Sequence, residues 1–218
     1  AYELPQVASR LGVLNHVAMV FNPAKAAADQ ARPLVTQACA LFGLPEPKFY
    51  ETDPDDSGYA ATQRAVKDGA QLVVIAGGDG TVRAAAKVLY NTDVQMGIIP
   101  TGTGNLLARN LNLPINDVHS CISIAFNGQS RAVDVVSLDM LHDDDTWDNQ
   151  VSVVIAGAGY DAQIMHSTSD RLKAAAGWLA YTEAGVRHLR GKRHSVTVSS
   201  DGKEPKRYRV RSAMIANC

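Results

Sequence analysis

The 218 residues contain no run of 18 or more apolar residues, so no stretch is long enough to cross a bilayer as a helix. Cysteine is scarce. The three present, Cys39, Cys121 and Cys218, are odd in number and unclustered, which argues against a disulfide framework or a cysteine metal site and for a reducing, cytoplasmic compartment. The six histidines are scattered and form no ligand pattern. No internal repeat, low-complexity linker or signal-peptide pattern stands out. An excess of one charge is also missing, since the net charge is −1. That balance hides an asymmetry. Residues 171–211 carry 11 Lys/Arg against 3 Asp/Glu, a balance of +8, and the rest carry 10 against 19, a balance of −9. The basic part suits either an anionic membrane surface, where each cation is worth about 1 kcal/mol, or the solvated face of a β-domain. Aromatic residues are few within it, which disfavours a nucleic-acid partner.

What is present begins with an ample apolar fraction of 46%, enough for one large domain or two smaller ones. Residues 72–76 are a continuous apolar run that breaks into Gly77-Gly78-Asp79-Gly80-Thr81 and then a helix-forming segment over 82–89. A buried parallel strand, a glycine turn and a helix start read in that order. This order collects anions, because the first N–H groups of a helix lack partners and glycine lets backbone approach a phosphate closely. A second such stretch covers 97–109, where a short apolar strand enters Pro100-Thr101-Gly102-Thr103-Gly104-Asn105 and leaves as a helix. Two loops on neighbouring strands would face one another at the carboxyl edge of one sheet, where open α/β sheets bind ligands. The hydroxyls of Thr101 and Thr103 suit phosphate oxygens. Neither loop fits a P-loop or a clean dinucleotide fingerprint.

Other elements follow from period and punctuation. A buried strand is expected at 16–21, ended by Asn22-Pro23. A helix is expected from Gln30 with Pro33 in its first turn, then a strand at 48–52, a helix at 59–68 capped by Ser57, and a strand at 96–99. Another helix covers 118–126. From Arg131 the composition changes to alternating strands: 132–141, with Asp134 inside it, an acidic connection at 143–148, and 151–156. The longest helix is expected at 170–189, followed by a hairpin of 194–200 and 208–216. Alternating strands and helices with right-handed crossovers predict an α/β domain over 1–130, and a strand-rich part over 131–218.

The stretches 73–82 and 97–109 together resemble the catalytic domain of the diacylglycerol kinase and sphingosine kinase superfamily, in its bacterial soluble lipid kinase branch. Val20-Phe21-Asn22-Pro23 resembles that family's opening strand and turn, and Ala156-Gly157-Ala158-Gly159-Tyr160-Asp161-Ala162 its later Gly-x-Gly segment. The resemblance implies a Rossmann-like parallel sheet with helices on both faces, akin to NAD kinases and phosphofructokinases, followed by part of a β-sandwich. It implies transfer of the γ-phosphate of ATP to a lipid hydroxyl, with Mg²⁺ offsetting charge. Asn22, Gly77, Gly78, Asp79, Gly80, Thr81, Thr101, Gly102, Thr103, Gly104 and Asn105 would hold the nucleotide. Arg83 would lie near the phosphate edge. Asp79 or Asp134 would accept the hydroxyl proton, with Asp161 a third carboxylate facing the headgroup.

The chain departs from the family pattern at Ala24–Ala27, at Ala84 in place of Glu, and at Leu106 in place of Asp. In bacterial relatives the carboxylate matched by Asp134 works with a Glu from a late segment. The chain as given is therefore expected to lack part of the catalytic apparatus. Two other readings stay open: an NAD kinase-like small-molecule kinase, and a nucleotide- or lipid-binding module without turnover. The oligomeric state, a homodimer included, is also left open.

Overall fold

A computed structural model describes residues 14–142, 144–159, 193–199 and 202–217. By its internal contacts the chain divides into two compact units, one running to Val154 and one over Ile155–Asn217. The composition change near Arg131 and this division do not coincide, because the hairpin after residue 135 packs within the first unit.

The first unit opens with β1 (Val17–Phe21), α1 (Ala26–Leu41), β2 (Lys48–Glu51), α2 (Tyr59–Lys67), β3 (Leu72–Gly77), α3 (Asp79–Leu89) and β4 (Gln95–Pro100). All strand pairs are parallel, and the sheet order is β2-β1-β3-β4. Then come α4 (Leu106–Asn110), α5 (Val118–Asn127) and the antiparallel hairpin β5 (Val136–Leu141) and β6 (Trp147–Ser152). The strand side chains alternate between two cores. Val17, Met19, Phe21, Leu72, Val74, Ala76 and Ile99 pack with α1 and α5 on one face. Ala18, Val20, Val73, Ile75 and Ile98 pack with α2, α3 and α4 on the other. Central strands buried on both faces explain the continuous apolar runs in the sequence. The expected α/β class, a parallel sheet covered on both faces, is what the chain adopts.

The second unit contains β7 (Ile155–Gly159) paired antiparallel with β10 (Ser212–Ala216), and β8 (His194–Val198) paired antiparallel with β9 (Lys206–Val210). The strand expected over 208–216 is two strands, broken at Arg211, and its second half pairs with β7 rather than with β8. The helix expected at 170–189 lies outside the described residues, as do Tyr160, Asp161 and Ala162.

Four local expectations are corrected. Helix α1 starts at Ala26, so Pro33 stands inside it rather than in its first turn. The run Ala26-Ala27-Ala28 propagates helix well enough to begin upstream of the proline and to tolerate its missing N–H. Ser57 does not cap α2. Asp56 does, with Oδ1 accepting from Gly58 N–H at 2.7 Å and Oδ2 from Ala60 N–H at 2.8 Å. Gly58 takes φ 102°, a conformation that costs little without a Cβ. Residues 151–156 are not one strand but end β6 and begin β7, with a bend at Val153 and Val154 where the units divide. Finally, Asp134 precedes β5, in an irregular segment, instead of lying within the strand.

Candidate active site

Strand order places a topological switch between β1, whose crossover runs outward to β2, and β3, whose crossover runs the other way to β4. The carboxyl ends of β1, β3 and β4 therefore share one edge, and they carry Asn22, the loop at 77–81 and the loop at 101–105. The two glycine loops lie against each other. A Cβ built on Gly102 would fall 2.7 Å from Gly78 Cα, and one built on Gly78 would fall 3.2 Å from Gly102 Cα. Only paired glycines allow two backbones this close. Thr101 N–H donates to the Gly77 carbonyl at 3.0 Å, extending the β3–β4 ladder into the loops.

Helix α3 begins inside the first motif, at Asp79, rather than at Val82. Gly78 precedes it in an extended conformation and offers no side-chain cap. The ladder starts with Val82 N–H donating to the Gly78 carbonyl at 3.0 Å. The amides of the first turn thus precede any intrahelical acceptor and present partial positive charge at the sheet edge. Thr81 turns back onto Gly77, where an added Cβ would meet Thr81 Cβ at 2.5 Å.

Asp79 points across to the second loop. Its Oδ2 accepts from Asn105 N–H at 2.8 Å and its Oδ1 from Leu106 N–H at 2.6 Å. Asn105 is 4% exposed and sits in the left-handed region at φ 50° and ψ 47°. Its side chain braces the same loop, accepting from Gly102 N–H at 3.0 Å and donating to the Gly102 carbonyl at 2.7 Å. Asn is among the few residues that accept this backbone, because its short amide bonds locally. Arg109 closes the turn, its Nε donating to the Gly104 carbonyl at 2.8 Å. The sequence reading assigned Arg109 no role. Its five-residue offset from Gly104 across a short helix is the signal that could have found it.

The remaining nominated residues divide. Thr101 Oγ1 is buried and has no hydrogen-bond partner among the described residues, whereas Thr103 is exposed. A buried hydroxyl left unpaired is unfavourable by about 1–3 kcal/mol. Asn22 lies at the same edge, but its Oδ1 accepts from Ala24 N–H at 2.9 Å and so serves its own turn. Arg83 is not turned to the phosphate edge. Its Nη1 donates to Gln150 Oε1 at 2.8 Å, and with the Lys87–Asp148 pair at 3.7 Å it ties α3 to the hairpin. Asp134 is exposed and lines a cavity of about 870 Å³. Its walls include Leu89, Met96, Leu107, Leu111, Ile124 and Val135, and no residue of either glycine loop is among them. Asp79 and Asp134 do not share this cavity.

Among the described residues no three His, Cys, Asp or Glu side chains converge.

The sequence pattern of the diacylglycerol kinase catalytic domain matches residues 16–138, more than half of the chain. The chain belongs to the diacylglycerol kinase catalytic-domain family. It is 30% identical over 151 residues to the diacylglycerol kinase of Bacillus subtilis strain 168, covering 68% of this chain and 46% of that protein. Over 125 residues it is 33% identical to the diacylglycerol kinase of Mycobacterium tuberculosis H37Rv, covering 57% and 39%. Over 129 residues it is 30% identical to a probable lipid kinase YegS-like protein of Cronobacter sakazakii, covering 57% and 40%. The chain thus spans less than half the length of these curated relatives. Among solved structures, a diacylglycerol kinase from Bacillus anthracis superposes with a TM-score of 0.67 at 19% identity, over 94% of this chain and 65% of that one. A second structure, of a diacylglycerol kinase from the same organism, gives 0.69. At that identity the likeness supports the fold, and the matched motifs carry the family assignment.

Proposed function

We propose that the protein is an ATP-dependent lipid kinase that transfers the γ-phosphate to a lipid hydroxyl, diacylglycerol or a related lipid. The observation that carries this reading is the contact of the two glycine loops at one sheet edge, Gly78 against Gly102, with the start of α3 and the unpaired Thr101 hydroxyl at the same corner. Phosphoryl transfer is mainly positioning and charge stabilisation. The first-turn amides of α3 and the Thr101 hydroxyl would hold phosphate oxygens. Mg²⁺, when bound with the triphosphate, would neutralise part of its charge. The lipid oxygen would attack the γ-phosphorus as the bond to the bridging β-oxygen breaks, releasing ADP. The hydroxyl proton would go to Asp134, which lines the cavity beside β4, while Asp79 is turned to the second glycine loop. Asp134 has aliphatic walls beside it, a surrounding that suits an acylated substrate.

The same reading assigns residues 1–130 to the nucleotide and 131–218 to the lipid. Arg193, Lys203, Lys206, Arg207, Arg209 and Arg211 are exposed and would meet an anionic membrane surface from the cytoplasmic side. No helix among the described residues is long and apolar enough to cross a membrane. Transfer from ATP to diacylglycerol, NAD and fructose 6-phosphate, assayed in parallel on the full-length protein, tests the acceptor class. Transfer to diacylglycerol is expected. Transfer to NAD alone would move the protein to the small-molecule kinases. Tight ATP binding with no transfer to any of the three would favour a binding module, the reading that the Leu106 and Ala84 departures support.

A further inference from the structure

We propose that Asp79 is a positioning residue, whose carboxylate fixes the second glycine loop in its nucleotide-receiving shape through two backbone hydrogen bonds. The inference rests on the nucleotide reading above and goes beyond it in giving Asp79 a structural hold on the loop, in place of metal ligation or proton transfer. The geometry is specific. Oδ1 takes the Leu106 N–H at 2.6 Å and Oδ2 takes the Asn105 N–H at 2.8 Å, so each oxygen serves one donor. Those two amides open α4, where no intrahelical acceptor reaches them. The carboxylate therefore supplies, from the start of α3, the cap that α4 lacks. Gly104 leaves room for it, since a Cβ there would lie 2.6 Å from Asp79 Oδ2. The Gly102–Asn105 side-chain bonds add two further ties within the same loop. The left-handed backbone of Asn105 needs such bracing to persist.

An amide side chain cannot replace this carboxylate. Asn at position 79 offers one acceptor oxygen, and its NH₂ would face the other loop N–H donor to donor. The consequences separate this role from its rivals. The hold consists of carboxylate-to-amide bonds and acts equally with or without a divalent ion. A metal-ligand role acts only when the ion is bound. A carboxylate that merely repels phosphate would, on neutralisation, tighten nucleotide binding.

The test is ATP affinity of wild type, Asp79→Asn and Gly104→Ala in two buffers, one with Mg²⁺ and one with EDTA, by calorimetry. Amide hydrogen exchange of nucleotide-free protein is measured alongside. Asp79→Asn should weaken ATP at least tenfold in both buffers. Gly104→Ala keeps the charge but crowds the same contact, and should do likewise. The Asn105 and Leu106 amides should exchange at least tenfold faster in both variants. Weakening confined to the Mg²⁺ buffer, tightening of ATP by Asp79→Asn in EDTA, or unchanged exchange at the two amides would each overturn the proposal. If Asp79→Asn does not fold, Gly104→Ala and the protection of the two amides in the wild type decide it. Failure of the wild type to bind ATP in either buffer would instead overturn the nucleotide reading, while the exchange data still test the loop lock without nucleotide.

Discussion

Replacing Gly102 by Ala tests whether the two loops need the contact they make. The new Cβ would sit 2.7 Å from Gly78 Cα and 2.9 Å from Asn105 Oδ1. Carbon atoms pack best at about 3.5–4.0 Å, so the overlap with Gly78 is roughly 1 Å. The obstructing atom is backbone and cannot rotate away. The loops must part, which strains the Thr101–Gly77 bond at 3.0 Å and the Asn105 Oδ1 bond to Gly102 N–H at 3.0 Å. Overpacking of this kind costs about 1–3 kcal/mol. Gly80→Ala is the control in the same motif. Its Cβ would meet nothing closer than Ser57 Oγ at 3.9 Å, and the position is helical. Ala there should stabilise by about 0.5–1 kcal/mol, because glycine carries an entropic penalty in a helix. In chains of this size 1 kcal/mol moves Tm by roughly 2–4 °C. Thermal unfolding should therefore lower Tm for Gly102→Ala by at least about 2 °C and raise it for Gly80→Ala. Equal Tm values for the two variants, or a Gly102→Ala protein as stable as the wild type, would refute the reasoning.

Asp134→Asn should retain ATP affinity within about twofold and lose transfer by about 10²–10⁴, the range for a lost general base; loss of ATP binding in this variant would count against the assignment. The Asp117 carboxyl, which caps α5 by accepting from Ser120 N–H at 3.0 Å and Ser120 Oγ at 2.6 Å, is held below its ordinary value of 3.8, chiefly by the Ser120 side chain. A depressed folded value means its contribution is fully present above about 3.8 and is lost as the pH falls through the lower folded value. Asp117→Asn should flatten the acid limb of a Tm-against-pH curve below pH 4 and leave the slope above pH 5 unchanged. Burial pushes the Cys39 and Cys121 thiols up to about 11, with Asp117 adding to the shift at Cys121. At pH 8 both should resist an alkylating reagent, judged by peptide mass mapping, until denaturant opens the core.

The sheet, the two glycine loops and their shared edge were legible because each rests on a local signal. Continuous apolar runs mark strands buried on both faces, and glycine ends them where backbones must approach. Side-chain partners were not legible, because they depend on register and on which elements come to pack together. Nothing local to Asp79 says that its oxygens reach Asn105 and Leu106, residues 26 and 27 positions onward. Only the parallel pairing of β3 with β4, which sets Gly77 opposite Pro100, brings the two loops into reach. Arg83 fails for the same reason. Its position one turn into α3 favoured a phosphate role, and Gln150, on a hairpin 67 residues later, claims it instead. Asp134 shows a third limit. Alternation of apolar residues placed it within a strand, yet β5 begins at Val136, and the irregular segment before it lines the cavity beside β4. A carboxylate's chemistry is therefore set by the acceptors and donors that topology delivers to it. Two aspartates of equal prominence in the sequence thus come to differ, one braced against a loop and the other lining a cavity beside β4.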